Sequence, residues 1–463
     1  MTPDAKIQVF AIKRGSINGK EIFCSTLYPH YLNLIAKLRA SHYNRGLLSD
    51  YIYINPKTDV SSLKDEDIVS FVPMTAVECL TNNVTYEKTV YSKVKKGFTV
   101  FYKGDMLWAK ITPCMQNGKS CIVDAMPTNI GFGSTEFHVL RSRDDSVYMP
   151  FLWALFSNNS VLKAAQAMFN GSAGQQRVAD SFFKDFPAVL PKYIIQKEMT
   201  DRLNKQLHSY KQKVKHADLL LAGMDQFIGE ALGSNILINR VKKCFGVSFK
   251  RLNSSRLDAN YYVSVLNPIN KSKYEICRLG DIALVNNNSK KGLSFGETVP
   301  YVGLPECSKY DIKEVITKKY SDVSNRNIVY PDDILFARIE PSIFNKKYVW
   351  ASDLLGHDYA FLSTEFYTIR AKDMRLQKFI YAMLFYRPVF QQFCGRTTGS
   401  TGRRRLDKTS LQKIMIPMPR LDVCEAIGNE FFARRNKAII LTTEAEQDLQ
   451  NAREQFEKEL LGE

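Results

Sequence analysis

Gly104-Asp-Met-Leu-Trp-Ala-Lys-Ile-Thr-Pro113 returns 228 residues later as Asp332-Asp-Ile-Leu-Phe-Ala-Arg-Ile-Glu-Pro341. Working outward, Ser134-Thr-Glu-Phe137 returns as Ser363-Thr-Glu-Phe366 at a shift of 229. Phe151-Leu-Trp-Ala154 returns as Phe379-Ile-Tyr-Ala382, and Gly171-Ser-Ala-Gly-Gln-Gln-Arg177 as Gly399-Ser-Thr-Gly-Arg-Arg-Arg405, both at 228. Four blocks in one order at nearly one shift mark a duplication. The period is domain-sized, far longer than a solenoid unit. Two copies of one domain imply two similar operations on a two-part target.

Each copy reads as a mixed α/β domain. Short β-like runs come first, Ile68 to Val72 and Val299 to Val302. A Gly/Asp-Asp turn then leads into a strand, Met106 to Ile111 and Ile334 to Ile339. The alternating runs after Ser-Thr-Glu-Phe predict another strand. Helices are expected at 151–169 and 379–394, with Pro388 kinking or restarting the second. A Gly-Ser-x-Gly loop follows, and a proline-flanked segment closes each copy: Pro187 to Pro191, and Ile416 to Pro419.

Beyond each closing segment proline disappears and charge rises. From Lys192 to Gly233 apolar residues fall at 4-3 spacing: Leu203, Leu207, Tyr210, Val214, Ala217, Leu221, Met224, Ile228 and Ala231. That is a coiled-coil seam. The same register continues in the repeat as Phe431, Arg435, Ala438, Thr442, Ala445, Leu449, Ala452, Phe456 and Glu459, a more polar seam. Each helix of about 40 residues would be about 60 Å long. Such a stripe must be buried against something, and the economical partner for each helix is the other. The fold class is therefore α+β (mixed α/β): two repeated globular domains and two long helices paired as an antiparallel coiled coil. The segmentation is 1–190 for the first domain (repeat core about 48–190), 191–233 for the central helix, 234–418 for the second domain and 419–463 for the last helix.

The 463 residues carry a formal charge of +17 and a pI near 9.3. A surplus of that size favours a polyanionic partner, most often nucleic acid. The nine cysteines are scattered and never spaced Cys-x-x-Cys, as in a protein with reduced thiols. The six histidines show no metal-ligand spacing. No secretory h-region opens the sequence and no run approaches the ~18 apolar residues of a membrane span. A cytoplasmic location without membrane association is expected.

Domain, long helix, domain, long helix, with [Gly/Asp]-Asp-x-Leu-x-Ala-[Lys/Arg]-Ile-x-Pro, Ser-Thr-Glu-Phe and the Gly-Ser-x-Gly…Arg loop, resembles the DNA-specificity subunit of type I restriction–modification systems. The resemblance runs from about Leu48 to the end. It implies that each domain is a target-recognition domain reading one half of a bipartite double-stranded DNA site. It also implies that the helix pair sets the gap between half-sites and carries the partner subunits. Chemistry would belong to those partners: adenine methyltransferase subunits using S-adenosylmethionine, and a restriction/translocase subunit using ATP and Mg. The chain itself would hold no cofactor or metal and catalyse nothing.

The motifs agree with a non-catalytic chain. No Pro-Pro dipeptide occurs, so the Asp/Asn-Pro-Pro-aromatic motif of amino-methyltransferases is absent. Gly118-Lys-Ser120 echoes a P-loop end, but the glycine required five residues earlier is Pro113. Pro331-Asp332 is not followed by a Glu-x-Lys. Three alternatives stay open: a stand-alone methylation or phage-exclusion complex without a nuclease, an enzyme acting on nucleic acid by itself, and a protein-binding scaffold with incidental charge.

If the domains read different half-sites, residues identical in both suit scaffold or phosphate contacts, and residues that differ suit base reading. Glu136 and Glu365 are then structural carboxylates. Arg177 and Arg405 are candidates for phosphate contact or an ion pair within the domain. Lys110 and Arg338 are equivalent strand cations. Gln175 and Gln176 face Arg403 and Arg404; glutamine can bond adenine and arginine guanine bidentately. Lys93, Lys95, Lys96, Lys290, Lys291, Lys318 and Lys319 lie among tyrosines in the most divergent stretches, 82–101 and 286–327. The seam residues Leu203, Leu207, Tyr210, Val214, Leu221, Ile228, Phe431, Leu449 and Phe456 are assigned to helix pairing.

Overall fold

The computed structural model describes residues 29–171, 175–233, 273–308, 310–393, 395–399 and 404–462. They form two compact units. The described part of Met1–Lys211 packs with that of Ala445–Glu463, and Gln212–Glu444 makes the second.

In unit 1 a four-stranded sheet runs in the order Ile52–Ile54, Phe137–Ser142, Met106–Ala109, Ser120–Ile122, antiparallel throughout. A second sheet runs Glu87–Val90, Ile68–Val72, Ile130–Gly133, Thr99–Tyr102, with one parallel pair between 68–72 and 130–133. Unit 2 repeats this strand for strand. Its first sheet is Ala283–Val285, Phe366–Ala371, Ile334–Ala337, Tyr348–Trp350. Its second is Ile316–Lys319, Thr298–Val302, Ala360–Leu362, Ile328–Val329, again with one parallel pair. The closing segments pair as well, Asn44–Leu47 with Pro187–Val189 and Ile276–Arg278 with Met415–Pro417.

The repeated decapeptide explains its own recurrence. Gly104 and Asp332 take positive φ (92° and 66°) and turn the chain. The next residue, Asp105 or Asp333, then folds back to cap the preceding strand. Asp105 accepts from Tyr102 N at 2.7 Å and Asp333 from Tyr330 N at 2.8 Å. An arginine on the neighbouring strand holds each carboxylate: Arg141 reaches both oxygens of Asp105 at 2.7 Å, and Arg370 Nε reaches Asp333 at 2.6 Å. Behind it Met106-Leu-Trp-Ala109 and Ile334-Leu-Phe-Ala337 are wholly buried. A second shared device is Asn55 and Asn286, both at positive φ, which accept from Val139 N and Thr368 N at 3.0 and 2.9 Å.

The helix expected at 151–169 is two helices, Met149–Phe156 and Asn159–Ala167. Asn158 caps the second through its side chain, accepting from Ser160 N, and this local bond outcompetes continuation. The counterpart is also split, into Gln377–Phe385 and Arg387–Phe390, with Pro388 in the first turn of the latter.

The long helices are α1 (Tyr193–Ala222), a short continuation α2 (Met224–Ala231) and α3 (Leu421–Leu461). Gly223 separates α1 from α2. No seam position on them is exposed. Within unit 1 the pairing is antiparallel: Arg202 meets Glu459, and Tyr210 lies near Glu446. Leu203, Leu207, Leu449 and Phe456 join the main core there, with Tyr210 against it. Within unit 2 the sense is the same, with Lys213 3.6 Å from Glu444 and Gly223 packed beside Arg434. Ile228 and Phe431 are core residues of that unit and Leu221 packs on it; Val214 is half-buried.

Candidate nucleic-acid interface

The two most alike motifs meet in each unit. In unit 1 Arg177 forks onto Glu136, Nε to Oε2 at 2.8 Å and Nη2 to Oε1 at 2.7 Å. In unit 2 Arg405 forks onto Glu365, Nε to Oε2 at 3.0 Å and Nη2 to Oε1 at 2.6 Å. The sheet brings them together: Lys110 N bonds Glu136 O and Arg338 N bonds Glu365 O, both at 2.9 Å. On the other side Ile111 bridges to Arg177 and Ile339 to Arg405. The Gly-Ser-x-Gly loop is thus tied at its base to the Ser-Thr-Glu-Phe turn by a bidentate, half-exposed ion pair. Arg177 holds the Glu136 carboxyl below its ordinary range.

Around this clasp the predicted contact residues fall as follows. Gln175 is exposed and Gln176 half-buried; their backbone carbonyls accept from Arg177 Nη1 at 3.0 Å and Thr112 N at 3.0 Å. Neither glutamine side-chain amide is bonded to a described residue. Arg404 sits opposite them in the repeat, yet its guanidinium donates to Thr397 O at 3.1 Å and lies 3.8 Å from Glu340. Arg403 lies outside the described residues. Arg338 stacks over the Tyr367 ring at 4.8 Å. Its equivalent Lys110 instead lines a surface cleft of about 430 Å³ together with Asn55, Lys57, Thr58 and Thr99.

Several divergent-stretch cations are engaged within the protein. Lys95 pairs with Asp65 at 2.9 Å. Lys290 donates to Ser324 O at 2.7 Å and Lys318 lies 4.0 Å from the Tyr301 ring centre. Lys57 and Thr58 escaped the sequence reading, because only strand pairing brings them beside Lys110. Asp105, Arg141, Asp333 and Arg370 had a sequence signal in the repeated Asp, but the arginine that answers it sits on a different strand.

Among the described residues no group of His, Cys, Asp and Glu is placed to hold a metal ion, and no helix is long and apolar enough to cross a membrane.

The family model of the type I restriction modification DNA specificity domain matches residues 271–451. The type I restriction enzyme EcoAI specificity subunit of Escherichia coli is 34% identical over 182 residues, 39% of this chain and 31% of that protein. The EcoEI specificity subunit of the same species is 37% identical over 145 residues, 31% of this chain and 24% of that one. The chain thus spans less than a third of the length of these curated relatives. A crystal structure of the type I restriction-modification system S subunit from M. genitalium overlays with a TM-score of 0.43 and 13% identity, covering 90% of this chain and 95% of that one. The match to the type I restriction modification DNA specificity domain thus falls mainly on the second of the two repeated units.

Proposed function

We propose that the chain is a sequence-specific DNA-binding subunit in which each unit reads one part of a bipartite double-stranded target. The observation that carries this is the strand-for-strand repetition of unit 2, which holds the specificity-domain match, in unit 1. In this reading the chain directs partner adenine methyltransferase and restriction subunits to the target. Those partners supply the S-adenosylmethionine, ATP and Mg chemistry.

Each unit divides the labour in the same way. The Asp–Arg and Glu–Arg pairs hold the sheet ends and fix the base of the loop to a rigid edge. The loop then differs between copies, Gln175-Gln176 against Arg403-Arg404. Glutamine and arginine read different bases through two hydrogen bonds each, every good pair contributing roughly 1–3 kcal/mol of discrimination.

Long-read mapping of adenine methylation in cells with and without this chain tests the proposal. Deletion is expected to abolish methylation at one two-part motif with a constant spacer. Exchanging unit 1 for that of a relative of different specificity should alter one half of the motif and leave the other. An unaltered methylation pattern on deletion, with the partner methyltransferase present, contradicts the reading.

A further inference from the structure

The cleft beside Lys110 carries more than its one predicted residue. Its floor is the buried Phe137 and Val139 of the first sheet, and its rim is Lys57, Thr58, Thr99 and Lys110. Several cations of unit 1 are ion-paired within the protein: Arg141 with Asp105, Arg177 with Glu136, Lys184 with Asp180. Lys57 and Lys110 form no salt bridge among the described residues. Glu136 is near enough to Lys110 to sense its charge, but both carboxylate oxygens are already bonded to Arg177.

Unit 2 supplies an internal comparison. Asn55 and Asn286 have the same conformation and the same backbone partner, so Lys57 corresponds to Asn288 and Thr58 to Ser289. Asn288 turns inward and donates to Ile328 O at 2.9 Å and Asp333 Oδ2 at 2.6 Å. Arg338, in place of Lys110, lies on the Tyr367 ring. The paired ammonium groups are therefore no part of the shared scaffold. A lysine needs no fixed fork of acceptors and suits a point contact with a phosphate oxygen.

We infer that this cleft is a phosphodiester subsite of unit 1: Lys57 and Lys110 take one stretch of DNA backbone between them, over the apolar floor. This rests on the proposed DNA-binding role and adds an asymmetry to it, an extra sequence-independent grip on the half-site read by unit 1. Phosphate contacts fix register on the duplex without reading sequence.

The test is the salt dependence of binding of the full-length chain to a mixed-sequence 40-base-pair duplex. Wild type, Lys57→Gln, Lys110→Gln, the double variant and Lys184→Gln are compared. Each lost phosphate contact lowers the slope of log K against log salt by about 0.9. The double variant is expected to lose about 1.8 from the slope, with Lys184→Gln unchanged and Lys57→Arg restoring the single loss. Thermal unfolding of each variant controls for folding, which an exposed Lys57 side chain should not affect. A double variant that folds and keeps the wild-type slope overturns the subsite and leaves the DNA-binding role standing. A wild-type chain with no salt-dependent DNA affinity overturns both.

Discussion

His138 and Tyr367 occupy one position in the two units and solve one problem differently. His138 Nε2 lies 2.8 Å from Val178 O, and Tyr367 Oη donates to Leu406 O at 3.1 Å. The carbonyls are equivalent, and each needs a donor because burial removes water. Burial pushes the His138 imidazole below its ordinary 6.5, so the folded state favours the neutral ring. Between the folded and unfolded values the unfolded chain binds more protons, so stability rises with pH there. Stability from this site is complete above about pH 6.5 and is lost as pH falls through the depressed folded value. His138→Tyr, which borrows the second unit's solution, is expected to flatten that part of a stability-against-pH curve from calorimetry. An unchanged acid limb would show that other groups produce it.

The Glu136 clasp makes a second prediction at the same scale. Glu136→Gln removes the charge that Arg177 answers but keeps the shape. We expect the loop base to loosen, seen as faster amide exchange at Gln176 and Arg177, and weaker discrimination at one half-site. Arg405→Gln should weaken the other half-site only. The carboxylate lies below its ordinary range, so its contribution is present above about pH 4.5 and falls away in acid.

At the scale of elements, the seams were legible and their polar members were not. The 4-3 spacing places each seam residue on one side of its helix, and this is enough to predict shelter. Arg435 looked like a weak point in the second seam. It is instead 4% exposed, donates from Nη2 to Tyr310 O at 2.5 Å, and lies over the Phe432 and Tyr381 rings. Its acceptor stands on a distant loop that no periodicity could reveal. Thr442 answers its own helix, donating to Ala438 O at 3.0 Å, and Glu459 pairs with Arg202. Arg435→Met removes a charged donor from the Tyr310 carbonyl, leaving Trp350 N as its other partner, and is expected to cost about 1.5–3 kcal/mol in denaturant unfolding. Phe456→Ala opens the core of unit 1 and is expected to cost about 3–5 kcal/mol. Gly428 marks the tightest approach of α3: a Cβ there would lie 2.8 Å from Phe379 N and 2.9 Å from Lys378 Cβ. Gly428→Ala should therefore destabilise, although alanine favours an isolated helix by about 1 kcal/mol. A stabilised variant would mean that the two helices can move apart without loss.

At the scale of the molecule, the duplication is what the sequence states most clearly, because it survives as ordered motifs. The order of strands within the sheets was hidden, since it depends on pairings across tens of residues. So was the allocation of α3, whose last part, from Ala445 onward, belongs to unit 1 while its first part belongs to unit 2. Leu449, Phe456 and Leu460 complete the main core of unit 1. A chain stopped after Glu444 is expected to lose protection from amide exchange throughout that core, while the sheets of unit 2 stay protected. Equal loss in both units would show that they unfold as one.

That shared helix also constrains how the protein is made. Ser41 Oγ donates to Leu460 O at 2.8 Å, a bond between residues 419 apart. Ribosomes deliver roughly 5–20 residues each second. After Lys211 emerges, unit 1 waits roughly 10–50 s for its missing strip to be synthesised, its apolar face uncovered while the whole of unit 2 is made first. The usual order, in which the N-terminal domain finishes first, is inverted. Nascent-chain complexes stalled before Ala445 are where holdase chaperones should bind most strongly, and release should follow translation of the last helical turns.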